Sequence, residues 1–206
     1  MNKANVLIVD DELNALRVLS AILEDASYNV FTADRVDRAE EILSSEIIDT
    51  VITDLKMPGK DGMHLFNFLN LKYPDIPVIF LTAFGSVDSA VSAITEGAFY
   101  YLIKPPDYVK LKAILAKAVE QKRLKSEVAN LRSQLESTYR FSNVIGKSPS
   151  MEKVFKLVET IKDSSTNVLV LGETGTGKEL IARAIHYTSH RHYKPFVAVN
   201  CASVPR

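Results

Sequence analysis

Val51-Ile52-Thr53-Asp54-Leu55-Lys56-Met57-Pro58-Gly59-Lys60-Asp61-Gly62 is the stretch on which the fold turns. The β-branched run Val51 to Thr53 has the composition of a buried strand, and it ends abruptly in a carboxylate. Pro58-Gly59 and Asp61-Gly62 mark a turn-rich loop, after which Met63 to Leu71 has helical apolar spacing. Open α/β sheets place their chemistry at the C-terminal ends of their strands. Asp54 stands at such an end, although a carboxylate there can equally be a helix cap.

The same alternation runs through the first half of the chain. Residues 4–9 form a first strand, followed at once by Asp10 and Asp11, and Leu13, Leu16, Leu19 and Leu23 stripe a helix to about residue 26. A second strand is expected at 28–32, and Val36, Ala39, Ile42 and Leu43 space a second helix. A fourth strand, 76–81, ends in Thr82-Ala83, and a helix marked by Val87, Ala90, Val91 and Ile94 stops at Gly97. A fifth, 99–103, ends in Lys104-Pro105-Pro106. Strands and helices alternating at this spacing predict a flavodoxin-like, doubly wound α/β fold: five parallel strands in the order 2-1-3-4-5, with helices on both faces.

In a parallel sheet all the C-terminal strand ends share one edge, so Asp10, Asp11, Asp54, Thr82 and Lys104 converge. Three carboxylates in one place repel unless a cation joins them. Oxygen donors, with the backbone carbonyl of Lys56 as a further candidate, suit Mg²⁺ better than zinc. A lysine and a threonine beside the metal can hold phosphoryl oxygens. The constellation reads as a site that places phosphate on Asp54, the nucleophile.

Residues 1 to about 120 resemble the receiver domain of two-component response regulators, in which Asp10-Asp11, Asp54, Thr82-Ala83 and Lys104-Pro105 match the motif. The resemblance implies a sensor histidine kinase as phosphoryl donor, a Mg²⁺ requirement and a cis peptide at Lys104-Pro105. It also implies a switch pair, Thr82 and the aromatic Tyr101, whose ring turns inward as Thr82 moves toward the phosphoryl oxygens. Pro106 departs from the aromatic residue often found after Lys-Pro, which affects the path into the fifth helix.

Residues 107–137 contain no proline or glycine and are rich in Lys, Ala, Leu, Glu and Gln, which predicts a long linker helix extending the fifth receiver helix. Leu124, Val128, Leu131 and Leu135 follow the 4-3-4 spacing of a coiled-coil seam, so a parallel homodimer through this helix is expected. Leu111, Ile114, Leu115 and Ala118 could continue that seam or face the receiver core.

Further on, an apolar run at 167–171 reads as a buried strand. Gly172-Glu173-Thr174-Gly175-Thr176-Gly177-Lys178 follows it, and Leu180, Ile181, Ala184 and Ile185 give helical spacing. Strand, glycine-rich loop and helix are the context of a phosphate-binding loop: backbone N–H groups wrap phosphate oxygens, and Lys178 reaches the terminal phosphates. Glu179 stands where the general motif has Ser or Thr.

The segment Glu173 to Glu179, with Val144-Ile145-Gly146 before it and residues 196–201 after it, resembles the AAA+ ATPase domain of NtrC-like sigma-54-dependent activators. That resemblance implies ATP with Mg²⁺, an adenine contact at Val144, Ile145 and Gly146, and, for a full-length protein, sigma-54 RNA polymerase and enhancer DNA as partners. Residues 141–206 then form the N-terminal part of an incomplete P-loop α/β domain, not expected to hydrolyse ATP by itself. His186, His190 and His192 offer possible metal ligands but read first as a solvated helix end, with no acidic or cysteine partner nearby.

Lys plus Arg and Asp plus Glu number 25 each, so no net charge favours nucleic acid or a membrane surface. A single cysteine, Cys201, leaves no internal disulfide framework, and no signal-like or membrane-length apolar run is present, so a cytoplasmic location is expected. Three functions compete: a phosphorylation-controlled switch acting on an oligomeric ATPase, a nucleotide hydrolase with a passive front domain, and a stand-alone receiver adaptor working through protein contacts.

Overall fold

The structure, a computed structural model, describes residues 3–83, 87–139 and 148–200. The chain divides into two compact units, residues 1–126 and 127–206.

In the first unit, β1 (Asn5–Val9), β2 (Asn29–Ala33), β3 (Thr50–Thr53), β4 (Val78–Thr82) and β5 (Tyr100–Ile103) form one sheet in the order β2-β1-β3-β4-β5. Every pairing in it is parallel. The intervening helices are α1 (Leu13–Asp25), α2 (Val36–Ser45), α3 (Gly62–Lys72) and α4 (Val87–Thr95), and α5 (Tyr108–Tyr139) follows β5. This is the flavodoxin-like topology expected from the alternation.

The strands read as continuous apolar runs because both faces of the sheet are covered. Leu7, Val9, Val51, Val78 and Phe80 pack on one side against α2 and α3 residues such as Ala39, Leu43, Leu65 and Phe66. Val6, Ile8, Ile52, Ile79 and Leu81 pack on the other against Leu16, Leu19 and Leu23 of α1 and Leu111 and Leu115 of α5. Leu111, Ile114, Leu115 and Ala118 therefore belong to the core of this unit and not to the exposed stripe farther along the helix.

The fourth strand begins at Val78 rather than Ile76. Pro77 has no N–H to give a ladder, and the Ile76 N–H closes a turn onto the Tyr73 carbonyl (3.0 Å). Farther along α5, Lys122 reaches back to the loop before β3: its ammonium donates to the Ile48 carbonyl and lies 3.4 Å from Asp49 Oδ1. Leu124, Val128, Leu131 and Leu135 are each about half exposed and form an apolar stripe on this helix.

The second unit contains α6 (Pro149–Ile161) and α7 (Lys178–Thr188). Ser148 caps α6, its hydroxyl accepting from the Met151 N–H (3.3 Å), and Pro149 occupies the first turn, where its missing N–H costs nothing. The buried strand expected at 167–171 is not found. These residues join no sheet among the described residues, and Leu169 and Leu171 are more than four-fifths exposed. An apolar run becomes a strand only when neighbours satisfy its backbone, and the other apolar run, 196–200, is likewise unassigned to any ladder. Among the described residues no helix is long and apolar enough to cross a membrane.

Candidate functional site

Three backbone hydrogen bonds carry the sheet one residue past its formal ends. Asp10 N–H donates to Ala33 O (3.1 Å), Asp54 N–H to Val9 O (2.9 Å) and Lys104 N–H to Thr82 O (2.8 Å). The register pairs Val9 with Thr53, so the residues that follow, Asp10 and Asp54, are neighbours on adjacent strands. The sheet itself fixes where these side chains start.

The two carboxylates are then held in the same way. Oδ1 of Asp10 accepts the Glu12 N–H (3.0 Å), and Oδ1 of Asp54 accepts the Lys56 N–H (3.1 Å), each two residues on. Their Oδ2 atoms share one ammonium: Lys104 Nζ lies 2.5 Å from Asp10 and 2.7 Å from Asp54. Asp10 and Asp54 are buried and Asp11 is exposed. Oxygens of all three come within 4.8 Å of one another.

Burial pushes the Asp10 pKa up, and the hydrogen bond from Lys104 only partly offsets this. Burial alone would lower Lys104, but its bonds to Asp10 and Asp54 together outweigh that and hold the ammonium above its usual value. One lysine thus balances a single charge among three acids. An all-oxygen donor set with charge left over fits a hard divalent cation such as Mg²⁺.

Of the other residues singled out in the sequence, Thr82 closes β4 and is fully buried, its carbonyl accepting from Lys104. Tyr101 is partly buried in register with Phe80, their ring centroids 6.4 Å apart. Lys104–Pro105 is cis, as the resemblance implied. Gly62 escaped the sequence reading, where Asp61-Gly62 registered only as a turn. Its N–H donates to Leu55 O (3.0 Å), and a Cβ on it would fall 2.0 Å from the Asp54 carbonyl oxygen. Asp61 beside it caps α3 by accepting the His64 N–H (2.9 Å).

A separate candidate lies in the second unit. Gly175 and Gly177 both take φ +85°, the left-handed region that favours glycine, and α7 starts immediately after Gly177. Thr176 Oγ1 donates to Glu173 O (2.7 Å), and Lys178 Nζ folds across the loop onto the carbonyls of Gly172 (2.9 Å) and Glu173 (2.5 Å). Thr174 lies in the turn between them. Glu179 pairs with Arg183. Val144, Ile145, Gly146 and Cys201 lie outside the described residues.

The histidines do have an acidic neighbour, contrary to expectation. Asp163 accepts the His190 N–H (2.9 Å) and lies 3.3 Å from its Nδ1. The two are 27 positions apart, a pairing that local spacing does not reveal. His186 and His192 lie at hydrogen-bond distance from the Lys194 and Ser189 carbonyls.

Known proteins match this organisation. A family model described as a response regulator receiver domain matches residues 6–116, and one described as a sigma-54 interaction domain matches residues 144–206. The chain is 35% identical over 206 residues to the DNA-binding transcriptional regulator NtrC of Proteus hauseri, covering 100% of this chain and 43% of that protein. It is 38% identical over 200 residues to the regulatory protein AtoC of Escherichia coli K12, covering 97% and 43%. NtrX from Brucella abortus, solved in complex with ATP, superposes with a TM-score of 0.60 at 31% identity over 100% of this chain and 45% of that one. A receiver domain protein from Clostridium thermocellum gives a TM-score of 0.56 at 36% identity, covering 59% of this chain and 98% of that one. The chain belongs to the response regulators, and its residues 144–206 match a sigma-54 interaction domain. It spans less than half the length of the curated relatives just named.

Proposed function

We propose that the first unit is a phosphorylation switch in which Asp54 accepts a phosphoryl group from a histidine kinase. The observation that carries this reading is the shared ammonium of Lys104 between Asp10 and Asp54. It places a cation, two anchored carboxylates and a third acid at one sheet edge, where the negative oxygens of a phosphoryl group would need to be neutralised. Asp10, Asp11 and Asp54, with the Lys56 carbonyl, would hold Mg²⁺, which when bound supplies charge neutralisation for the phosphoryl oxygens.

Asp54 supplies the attacking carboxylate oxygen; the new bond is O–P and the bond that breaks is the donor's P–N or P–O bond. Lys104 is placed to follow the developing charge, while Lys56 N–H keeps the Asp54 carboxyl from rotating away. Thr82 and Tyr101 would respond to the new group. A groove of about 390 Å³ beside Lys104, lined by Glu12, Ala15, Val18, Pro105 and Tyr108, leaves room for the donor's side chain to approach. Incubation with acetyl phosphate and Mg²⁺ is expected to add one phosphoryl group, which peptide mass spectrometry should place on Asp54. A label elsewhere refutes the assignment.

Mg²⁺ should also stabilise the fold. A ligand that binds only the native state adds about 2.7 kcal/mol at a hundredfold excess over its Kd. The raised Asp10 pKa sets the pH dependence. In the metal-free protein Asp10 favours folding while protonated, and that contribution is lost as pH rises through its folded-state value. The metal needs the ionised form, so the Mg²⁺-induced rise in Tm should grow over the same window and shrink in acid. Thermal scans with and without Mg²⁺ check this, and a Tm shift unchanged in Asp10→Ala would remove Asp10 from the ligand set.

In a full-length protein this switch would govern assembly of an AAA+ ATPase that activates sigma-54-dependent transcription, with sigma-54 RNA polymerase and enhancer DNA as partners. The match at residues 144–206 supports this output over a stand-alone adaptor. Residues 172–179 would bind ATP with Mg²⁺. The stripe Leu124, Val128, Leu131 and Leu135 would be the homodimer seam, since a row of half-exposed apolar residues on one helix face gains most by pairing with its own copy. Leu131→Glu is expected to convert the dimer to monomer in sedimentation, and an unchanged mass would rule the seam out. A protein with these roles would work in the cytoplasm.

A further inference from the structure

Glu179 follows Lys178 directly in the first turn of α7. A carboxylate there suits the positive end of the helix but opposes any incoming polyphosphate. Arg183, one turn on, counters it: Nε and Nη2 lie 2.9 and 2.7 Å from Glu179 Oε1. The guanidinium carbon lies 4.9 Å from the centroid of the Phe196 ring. The arginine side chain is 27% exposed against 67% for the glutamate, so the ring and the helix hold Arg183, and Arg183 in turn holds the acid. Both residues line a cavity of about 510 Å³ with Gly175, Gly177 and Lys178.

We propose that Arg183 is a positioning residue for nucleotide binding, clamping Glu179 along the helix and cancelling its charge. The inference rests on the reading of residues 172–179 as a nucleotide site. With Arg183 in place, the phosphates meet Lys178 and the loop N–H groups without a competing carboxylate. Once the guanidinium is gone, Glu179 both repels the phosphates and gains access to the ammonium of Lys178, which in the present arrangement bonds to carbonyls of the loop. An ordinary exposed pair four residues apart on a helix would contribute little and affect no ligand.

The test is ATP affinity of the full-length protein, measured calorimetrically with Mg²⁺. Arg183→Met keeps a long side chain over Phe196 and removes the charge. It should weaken ATP binding about tenfold, and the loss should shrink as salt rises. Adding Glu179→Gln to that variant should restore affinity to within about threefold of the parent, a rescue that a merely structural arginine would not show. Lys178→Ala should abolish binding in every background, which reports on the site itself. Unchanged affinity in Arg183→Met overturns the proposal while leaving the nucleotide reading intact. Failure of the second substitution to rescue overturns it too, because the arginine would then act on the nucleotide directly or through folding. If the parent protein binds no ATP, the nucleotide reading falls and this inference with it.

Discussion

Asp54→Asn is expected to take no phosphoryl group from acetyl phosphate or a phosphohistidine donor, with labelling below detection instead of about one group per chain. The substitution removes the nucleophile and, with its charge, the ion pair to Lys104, but it preserves the shape of the side chain. An amide is not nucleophilic enough to attack phosphorus, yet it keeps the size of the side chain and an oxygen to accept the Lys56 N–H. Lys104 retains its contact with Asp10. Circular dichroism should therefore be unchanged, which separates loss of chemistry from loss of fold. Full labelling of the variant would show that another residue is the acceptor, and the carboxylates at the sheet edge would then need a different explanation.

Gly62→Ala should damage both the fold and the site. The added Cβ would stand 2.0 Å from the Asp54 carbonyl oxygen and 3.0 Å from Leu55 Cα, all backbone atoms that no side-chain rotation can move aside. Alanine improves helix propensity by up to about 1 kcal/mol, whereas overpacking of a fixed backbone costs about 1–3 kcal/mol and occasionally more. The steric term wins, so a loss of about 2 kcal/mol in denaturant unfolding is expected. Because the atom displaced belongs to Asp54, phosphoryl uptake should fall as well, under conditions where the variant is still folded. A variant as stable and as readily phosphorylated as the parent would show that the loop gives way without consequence.

Continuous apolar runs such as Val6 to Val9 and Val78 to Leu81 were legible because burial on both faces leaves little ambiguity. The sheet order followed from the alternation, and the meeting of Asp10, Asp54 and Lys104 from the rule that parallel strands end on one edge. What escaped the reading depends on distance in space. The close approach of Gly62 to Asp54, the reach of Lys122 to Ile48 and the pairing of His190 with Asp163 join residues whose local patterns carry no mark of each other. Residues 167–171 failed in the opposite sense: their composition is that of a strand, but a strand exists only through its neighbours. The shared use of Oδ1 for a backbone amide and Oδ2 for the lysine was likewise beyond reach, since it depends on side-chain torsions.

The pairing of Val9 with Thr53 has a consequence for how this chain tolerates length changes. Deleting one residue within β1 or β3 would slide the following acid back by about 3.3 Å and turn it to the opposite face of the sheet. The lysine could then no longer span both carboxylates. Lengthening the turn around Gly59, by contrast, leaves every rung of the ladder where it was. Insertions should therefore be absorbed at that turn and rejected in the strands, making the spacing from Val9 to Asp10 and from Thr53 to Asp54 the dimension the molecule can least vary.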